Sequence, residues 1–392
     1  MKDYAKALAS LNESGRLRYL KPLAERRGCR LLYQGHDLLN LSANDYLGLA
    51  GDADLHRRFY ERMGSDNLLS DYALGAASSR LLTGDSPGHH ALEDLLAKVY
   101  GAEAALLMNS GYHANIGILP ALLGKGDLIL SDKLNHASIH DGLRLGAAEH
   151  KRYRHCDYDH LDSLLALHRA AYGRVVIASE SVFSMDGDVA DLGRLVALKK
   201  KYDCWLYIDE AHAIGLYGDT GLGKAQEQGM LAEIDVLVGT FGKALASVGA
   251  FVICSSLVKE YLINTSRSLI FTTALPPVTI SWNHFILREV LTMTRQRHHL
   301  HQLAEDLRRT LRANGLITGG TTNIVPVLIG DDREAMAAAA RLQQRGYLIF
   351  PVRPPAVPEG TARFRLSLAA TMQWDEISDL AATIAICLAR SG

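Results

Sequence analysis

The sequence is poor in cysteine, nearly free of net charge and without a long apolar run. Its 5 cysteines among 392 residues are scattered and form no CxxC pair, so neither a disulfide framework nor a zinc site is expected. A formal net charge of -1 gives no sign of binding to nucleic acid or to a membrane surface. No segment approaches the ~18 uninterrupted apolar residues of a membrane span, and the N-terminus has no apolar stretch of signal-peptide length. These absences predict a soluble, cytoplasmic protein.

The length and the order of apolar segments predict more than one domain. A chain of 392 residues exceeds a usual single core. Apolar strands alternate with helices up to about residue 275, which is typical of a mostly parallel sheet covered on both faces. Pro276-Pro277 breaks this pattern and predicts the start of a linking helix. We therefore predict an arm of one helix and one hairpin over residues 1–41, a large α/β domain over 42–275, and a linking helix with a smaller α+β domain over 276–392.

Two successive apolar strands end in residues that carry chemistry. Asp209 and His212 follow the first strand, and Thr240 and Lys243 follow the second. Because ligand sites of open α/β sheets lie at the carboxyl ends of strands, these side chains are expected to converge. A converging Asp, His and Lys suit pyridoxal phosphate (PLP): the Lys forms the Schiff base, the Asp pairs with the pyridinium nitrogen, and the His reaches the ring hydroxyl.

Two other interpretations of these segments stay open. The run Asp-Glu-Ala-His also ends the magnesium-binding strand of some helicases, and Gly218–Lys224 nearly spells a phosphate-binding P-loop. Position 225 is Ala, however, so the hydroxyl that would bind magnesium is missing. Asp209 and His212 would alternatively form a buried structural pair, which leaves the amine of Lys243 without a purpose.

Further candidates lie in turns after other strands. Ser110-Gly111-Tyr112, between a strand and a helix, offers backbone N–H groups and a hydroxyl for a phosphate. His136 would stack on the pyridine ring, although His140 four residues later also raises a metal interpretation that lacks a third ligand. Ser184 would reach the cofactor edge or be an ordinary turn serine, and its spacing does not separate the two.

Five motifs together carry a resemblance over nearly the whole chain. They are Asn44–Leu49, Asn135–Ser138, Phe183–Gly187, Asp209–His212 and Thr240–Lys243. In this order and spacing the sequence resembles the α-oxoamine synthase family. The resemblance implies a PLP-dependent homodimer of fold-type I, the aspartate-aminotransferase-like fold, which condenses an amino acid with an acyl thioester and releases CO2.

The resemblance also implies a role for each candidate residue. Lys243 would be the Schiff-base lysine and the base at the substrate Cα, with His136, Asp209 and His212 as its catalytic partners. The cofactor would be bound by Ser110, Gly111, Tyr112, His136, Ser184, Asp209, His212, Thr240 and Lys243, and by Thr272 and Thr273 across the dimer interface. Asn44 and Arg365 would bind the substrate carboxylate, and Arg16 the acyl substrate's terminal carboxylate or its carrier. Arg363 competes with Arg365, because residues two apart in a strand share a face. No metal is expected.

The run Val352–Arg365 is most similar to one branch of the family. That branch condenses L-alanine with a pimeloyl thioester in biotin biosynthesis, and the thioester carrier is either CoA or an acyl carrier protein. Three alternatives remain: a sister synthase acting on glycine or serine, an aminotransferase of the same fold, and a nucleotide binder that uses the segment Gly218–Lys224.

Overall fold

The computed structural model describes residues 3–389. The chain separates into two compact units. The terminal unit contains residues 1–53, 184–188 and 295–392, and the central unit contains residues 54–183 and 189–294. Each unit is built from segments that are distant in the sequence.

A seven-stranded sheet forms the core of the central unit. Its strands, from one edge to the other, are Ala104–Met108, Ala250–Cys254, Val236–Thr240, Trp205–Asp209, Val175–Glu180, Leu128–Asp132 and Glu149–Tyr153. Ala250–Cys254 is antiparallel to both neighbours, and the other pairs are parallel. The sheet is therefore mostly parallel, as the continuous apolar runs predict for strands buried on both faces.

Helices connect these strands and cover the sheet. The α-helices of the central unit are Ala53–Tyr60, Pro87–Tyr100, Gly111–Leu122, Ala137–Leu145, Tyr158–His168, Leu192–Tyr202, Lys224–Glu227, Ser256–Thr265, Arg267–Ile270 and Pro277–Leu291. Ser110, Asp157, Asp191 and Ser255 cap four of them by accepting a hydrogen bond from a backbone N–H in the first turn. The last helix begins at the predicted Pro-Pro pair, where proline lacks an N–H that the first turn does not need.

The terminal unit combines the two ends of the chain. Its α-helices are Tyr4–Glu13, Thr294–Ala313, Asp332–Gln343, Trp374–Ile377 and Leu380–Ala389, and its strands are Ala24–Arg27, Arg30–Tyr33, His36–Asn40, Ile324–Gly330, Tyr347–Leu348, Pro351–Val352 and Ala362–Ser367. The predicted hairpin turns at Gln34-Gly35, where both residues have positive φ, as a tight two-residue turn requires. Its strand His36–Asn40 also pairs with Tyr347–Leu348. Among the described residues, no helix has both the length and the apolar character needed to cross a membrane.

Candidate active site

Asp209 is a buried carboxylate at the end of a central strand of the large sheet. Asp209 is 4% exposed and is the last residue of the strand Trp205–Asp209. Oδ1 accepts the backbone N–H of Ala211 at 2.8 Å, and Oδ2 accepts the side-chain amide of Asn115 at 2.8 Å. Two N–H donors therefore fix the direction of the carboxylate within the central unit.

Asn115 connects Asp209 to His136, a role that no motif in the sequence predicts. This residue lies in the helix Gly111–Leu122 and is 1% exposed. Its amide nitrogen also donates to Ser138 Oγ at 2.9 Å, and its oxygen accepts the Tyr207 hydroxyl at 2.5 Å. Ser138 Oγ lies 2.7 Å from His136 Nδ1. A single asparagine in a helix has no distinctive spacing, so only its contacts reveal this role.

The imidazole of His136 is held in one orientation. Its Nδ1 accepts the backbone N–H of Ser138 at 3.2 Å, which leaves Nε2 to carry the proton of the neutral ring. Desolvation by the surrounding protein lowers the pKa of His136, and the nearby Lys243 charge lowers it further. His136 as a residue is exposed to solvent. A neutral, exposed ring suits stacking on an aromatic cofactor.

Lys243 and His212 are in direct contact. Lys243 Nζ lies 2.7 Å from His212 Nε2, so a proton is shared between an amine and an imidazole. His212 is 5% exposed, and Lys243 is half-buried in the loop after the strand Val236–Thr240. The amine and the imidazole of the two motifs thus meet, and the carboxylate of Asp209 lies in the same unit.

The first turn of the helix Gly111–Leu122 lies beside Thr240. Ser110 caps this helix, and its Oγ accepts the His113 N–H at 3.2 Å. A methyl group added at Gly111 would lie 3.8 Å from Thr240 Cβ and 3.9 Å from Thr240 Oγ1. The backbone of the turn and the Thr240 hydroxyl are therefore neighbours. A helix N-terminus with adjacent hydroxyls is suited to a phosphate. Tyr112 is 46% exposed, and its hydroxyl donates to Asp141 at 2.9 Å.

Thr272 and Thr273 have contacts within their own subunit. The amide of Asn109 donates to Thr272 Oγ1 at 3.2 Å and to the Thr273 carbonyl oxygen at 2.7 Å. Asn109 directly precedes Ser110, so both threonines are anchored close to the candidate phosphate turn. Both threonines therefore have hydrogen-bond partners within one chain, while their contribution to a partner's site stays a prediction.

The remaining predicted residues lie in the terminal unit. Arg365 donates to Asn44 Oδ1 at 3.1 Å, to the Tyr46 hydroxyl at 2.8 Å and to Ser367 Oγ at 2.8 Å, and its Nε donates to the Ser184 carbonyl. All four acceptors are uncharged. Within the described part of the chain, no carboxylate forms an ion pair with Arg365, so its positive charge is held in place without being neutralised.

Arg363, the competitor for the carboxylate, is used differently. Its guanidinium forms an ion pair with Asp186, and its Nε donates to the Thr361 carbonyl oxygen at 3.0 Å. Arg363 is also 8% exposed, whereas Arg365 is half-buried. The geometry therefore favours Arg365 as the residue that is available to an external carboxylate.

Arg16 is engaged by two acidic residues of the same unit. Its Nε donates to Asp332 Oδ2 at 3.1 Å, and its Nη1 lies 3.0 Å from Glu359 Oε1. These hydrogen bonds raise the pKa of the Arg16 guanidinium. An acyl-chain carboxylate would therefore have to compete with Glu359, whose side chain is largely exposed.

The segment that resembles a P-loop has no free phosphate site. Glu210 occupies its amides: the carboxylate accepts the N–H of Lys224 at 3.0 Å and of Ala225 at 2.6 Å. Gly223 has φ +111°, and a methyl group there would lie 2.7 Å from Glu210 Oε2. Burial raises the pKa of Glu210 to about 7. Gly223 therefore allows a close approach to a protein carboxyl group, and the nucleotide interpretation is wrong.

The metal interpretation of His136 and His140 also lacks support in the geometry. Within residues 3–389, one group of three possible ligands has its atoms within 4.8 Å of one another, and it consists of Asp132, His155 and Cys156. Asp132 already accepts the His155 ring nitrogen at 3.0 Å and the Cys156 N–H at 3.0 Å. This group is a hydrogen-bonded pair beside a thiol and does not include either predicted histidine.

Comparisons with known proteins place these residues in a family. The Aminotransferase class I and II family matches residues 36–384. The chain belongs to this family. The 8-amino-7-oxononanoate synthase of Chlorobaculum parvum is 53% identical over 374 residues, which are 95% of each chain. The 8-amino-7-oxononanoate synthase of Haemophilus ducreyi is 47% identical, and the match covers 98% of this chain and 100% of the relative's chain.

Solved structures give the same assignment at the level of the fold. The serine palmitoyltransferase of Sphingomonas wittichii has a TM-score of 0.89 at 31% identity, over 99% of this chain and 97% of its own. The 8-amino-7-oxononanoate synthase of Francisella tularensis has a TM-score of 0.74 at 25% identity, over 90% of this chain and 98% of its own. A serine palmitoyltransferase from S. paucimobilis contains bound PLP, as an aldimine with myriocin. It has a TM-score of 0.88 at 30% identity, over 100% of this chain and 97% of its own.

These comparisons confirm the prediction of an α-oxoamine synthase of fold-type I, a PLP-dependent acyltransferase. The donor set of the central unit also fits PLP. It offers an amine at Lys243, a buried carboxylate at Asp209 and a helix N-terminus at Ser110.

Proposed function

We propose that the chain catalyses the decarboxylative condensation of L-alanine with a pimeloyl thioester, giving 8-amino-7-oxononanoate and CO2 in biotin biosynthesis. The observation that supports the reaction type best is the cluster of Lys243, His212 and Asp209 in the central unit. The relatives that are 47–53% identical over nearly the whole chain support the choice of substrates.

When bound, PLP would supply an electron sink for negative charge at the substrate Cα. Asp209 would keep a proton on the pyridine nitrogen, since its carboxylate is buried and already aligned by Asn115 and the Ala211 N–H. His136 would hold the ring from one face. Ser110, Gly111, Tyr112 and Thr240 would bind the phosphate, with Ser184 as a further candidate at the cofactor.

Lys243 would bind the cofactor and then move the Cα proton. A base at this position must be uncharged when it accepts the proton. His212 Nε2 lies 2.7 Å from Lys243 Nζ, so the imidazole can share a proton with the amine. We therefore assign the proton transfer to Lys243, and we assign to His212 the role of orienting the Lys243 amine.

Arg365 and Asn44 would bind the carboxylate of alanine. The planar guanidinium presents a fork of donors that matches two carboxylate oxygens. Its contacts to Asn44, Tyr46, Ser367 and the Ser184 carbonyl hold this fork in one direction before a ligand arrives. Preorganisation of this kind removes an ordering penalty from binding.

The other substrate would use a cleft in the terminal unit. This cleft has a volume of about 390 Å³, and Leu11, Arg16, Pro355 and Val357 are among the residues that line it. Arg18 and Glu359 also line the cleft. Apolar side chains with two arginines suit an acyl chain that ends in a carboxylate, which would compete with Glu359. The carrier of the thioester is either CoA or an acyl carrier protein.

We also propose that the chain is a homodimer with shared active sites. The central unit exposes several large apolar side chains between residues 63 and 82: Met63, Leu68, Leu69, Leu74, Leu81 and Leu82 are 47–87% exposed. Phe271, next to Thr272 and Thr273, is 71% exposed. Clustered exposed apolar residues are typical of an interface between subunits.

A sister synthase is the second candidate, because the fold is also very similar to serine palmitoyltransferases. The test is a comparison of L-alanine, glycine and L-serine at equal concentrations with pimeloyl-CoA and with the pimeloylated carrier protein. We expect kcat/KM to be highest for L-alanine. Preference for glycine or serine, or for a long-chain acyl thioester, would contradict the proposed substrates.

A further inference from the structure

Glu180 is a buried carboxyl group that the proposed reaction leaves unused. It ends the strand Val175–Glu180 of the central unit and is 2% exposed. It is in register with Asp209 at the end of the adjacent parallel strand. Two carboxyl groups therefore lie side by side at the C-terminal ends of two central strands, where the proposed PLP-binding residues also lie.

The side chain of Glu180 holds the backbone of His136. Its Oε1 accepts the His136 N–H at 2.5 Å, and the Glu180 N–H donates to Asn135 Oδ1 at 3.0 Å. The Asn135 amide in turn donates to the Ala178 carbonyl oxygen at 2.9 Å, in the same strand as Glu180. The turn that carries His136 is thus attached to this strand by side chains of both segments.

The surroundings of Glu180 favour its uncharged form. Burial raises its pKa above the ordinary carboxyl range, and the adjacent Asp209 raises it further, with a smaller contribution from Asp132. Lys243 and the His136 N–H act in the opposite direction. Because two ionised carboxylates side by side are unfavourable, one of them keeps its proton. Asp209, which accepts two N–H donors, is the one that the proposed reaction uses in its charged form.

We propose that Glu180 is a positioning residue: as an uncharged carboxyl group it holds His136 in place for the cofactor without adding a second negative charge beside Asp209. The proposal rests on the proposed function in one respect, namely that His136 stacks on PLP. The role of Glu180 is structural toward His136 and electrostatic toward Asp209, and it requires no contact with substrate.

Two substitutions separate these roles. Glu180→Gln keeps an oxygen that accepts the His136 N–H and reproduces the shape of a protonated carboxyl group. Glu180→Leu removes the acceptor and leaves the His136 N–H without this hydrogen bond. Glu93→Leu is the control for losing a buried carboxyl group elsewhere in the same unit, because Glu93 also accepts a backbone N–H, that of Leu107 at 2.9 Å. Unlike Glu180, Glu93 forms ion pairs with Arg80 and Lys259, so its loss should affect stability and not the cofactor.

The first readout is the visible circular dichroism of bound PLP, together with the rate of PLP release. We expect Glu180→Gln to keep the dichroic band and to release PLP within about threefold of the wild-type rate. Glu180→Leu should weaken the band and bind PLP about ten- to a hundredfold less tightly, the range for an unmade buried hydrogen bond. Glu93→Leu should lower Tm but leave the band per bound PLP unchanged. Combining Glu180→Leu with His136→Ala should add little to His136→Ala alone.

The second readout is amide hydrogen exchange of the segment 133–140, which needs neither substrate nor turnover. Faster exchange in Glu180→Leu, with wild-type exchange in Glu180→Gln, supports the proposal even if the substrates are other than those proposed. Three results would overturn it: wild-type dichroism and exchange in Glu180→Leu, equal impairment of Glu180→Gln and Glu180→Leu, or full additivity with His136→Ala.

Discussion

Replacing Arg365 by Ala should weaken the binding of L-alanine far more than the binding of PLP. Arg365 is held by uncharged acceptors and has no carboxylate partner among the described residues, so the substrate carboxylate would be its ionic partner. Removing one member of a buried charge pair costs about 2–5 kcal/mol. At about 1.4 kcal/mol per tenfold, this range corresponds to roughly 30-fold to several thousand-fold. Because Arg365 is half-buried, we expect the lower part of that range.

The assay is a titration of the visible absorbance of bound PLP with L-alanine. Arg363→Ala is the matched control: it removes a guanidinium from the same strand, but one that is already paired with Asp186. We expect an alanine Kd within about threefold of wild type for Arg363→Ala, and an intermediate loss for Arg365→Lys, which keeps the charge without the planar fork. A large shift for Arg363→Ala and none for Arg365→Ala would refute the assignment. If neither variant changes the Kd, the carboxylate is bound elsewhere.

Three further predictions concern the central unit. Asn115→Leu removes a donor to the Asp209 carboxylate, so PLP affinity should fall about ten- to a hundredfold by equilibrium dialysis, the ~1.5–3 kcal/mol of a hydrogen bond to a charged group; unchanged affinity would show that Asn115 does not orient Asp209. Mixing Lys243→Ala chains with Thr273→Ala chains should restore activity in heterodimers that contain one intact site, and no recovery would contradict a shared site. Burial raises the pKa of Glu210 to about 7, so its contribution to stability is complete below about pH 4.5 and is lost as the pH rises through 7. The Tm of wild type relative to Glu210→Gln should therefore fall between pH 5 and 8 and not rise.

Much of the fold follows from local patterns in the sequence. The strands Trp205–Asp209 and Val236–Thr240 are apolar because both faces of the sheet are covered, so they could be predicted from composition alone. The Gln34-Gly35 turn and the helix that begins after Pro276 follow from residues with restricted or unusual backbone preferences. The antiparallel direction of Ala250–Cys254 could not be predicted, because an apolar run of five residues is compatible with either direction.

The candidate-site residues that belong to motifs were predicted from the sequence, and those that stand alone were missed. Lys243 and His212 come from two motifs, and their side chains meet. Asn115 and Glu180 are isolated polar residues in apolar elements, and only the register of strands and helices brings them to Asp209 and His136. The choice between Arg363 and Arg365 likewise depends on which of them has an acidic partner, and spacing within one strand does not reveal this.

The most direct test of the proposed reaction follows the carboxyl carbon of L-alanine. With L-alanine labelled at this carbon and a pimeloyl thioester, we expect wild type to release one labelled CO2 for each 8-amino-7-oxononanoate formed. Lys243→Ala lacks the proposed base and should release no labelled CO2. Before L-alanine is added, PLP bound to this variant should lack the absorbance band of the imine with Lys243. Product formation without labelled CO2, or turnover by Lys243→Ala at the wild-type rate, would contradict the proposed decarboxylative condensation at Lys243.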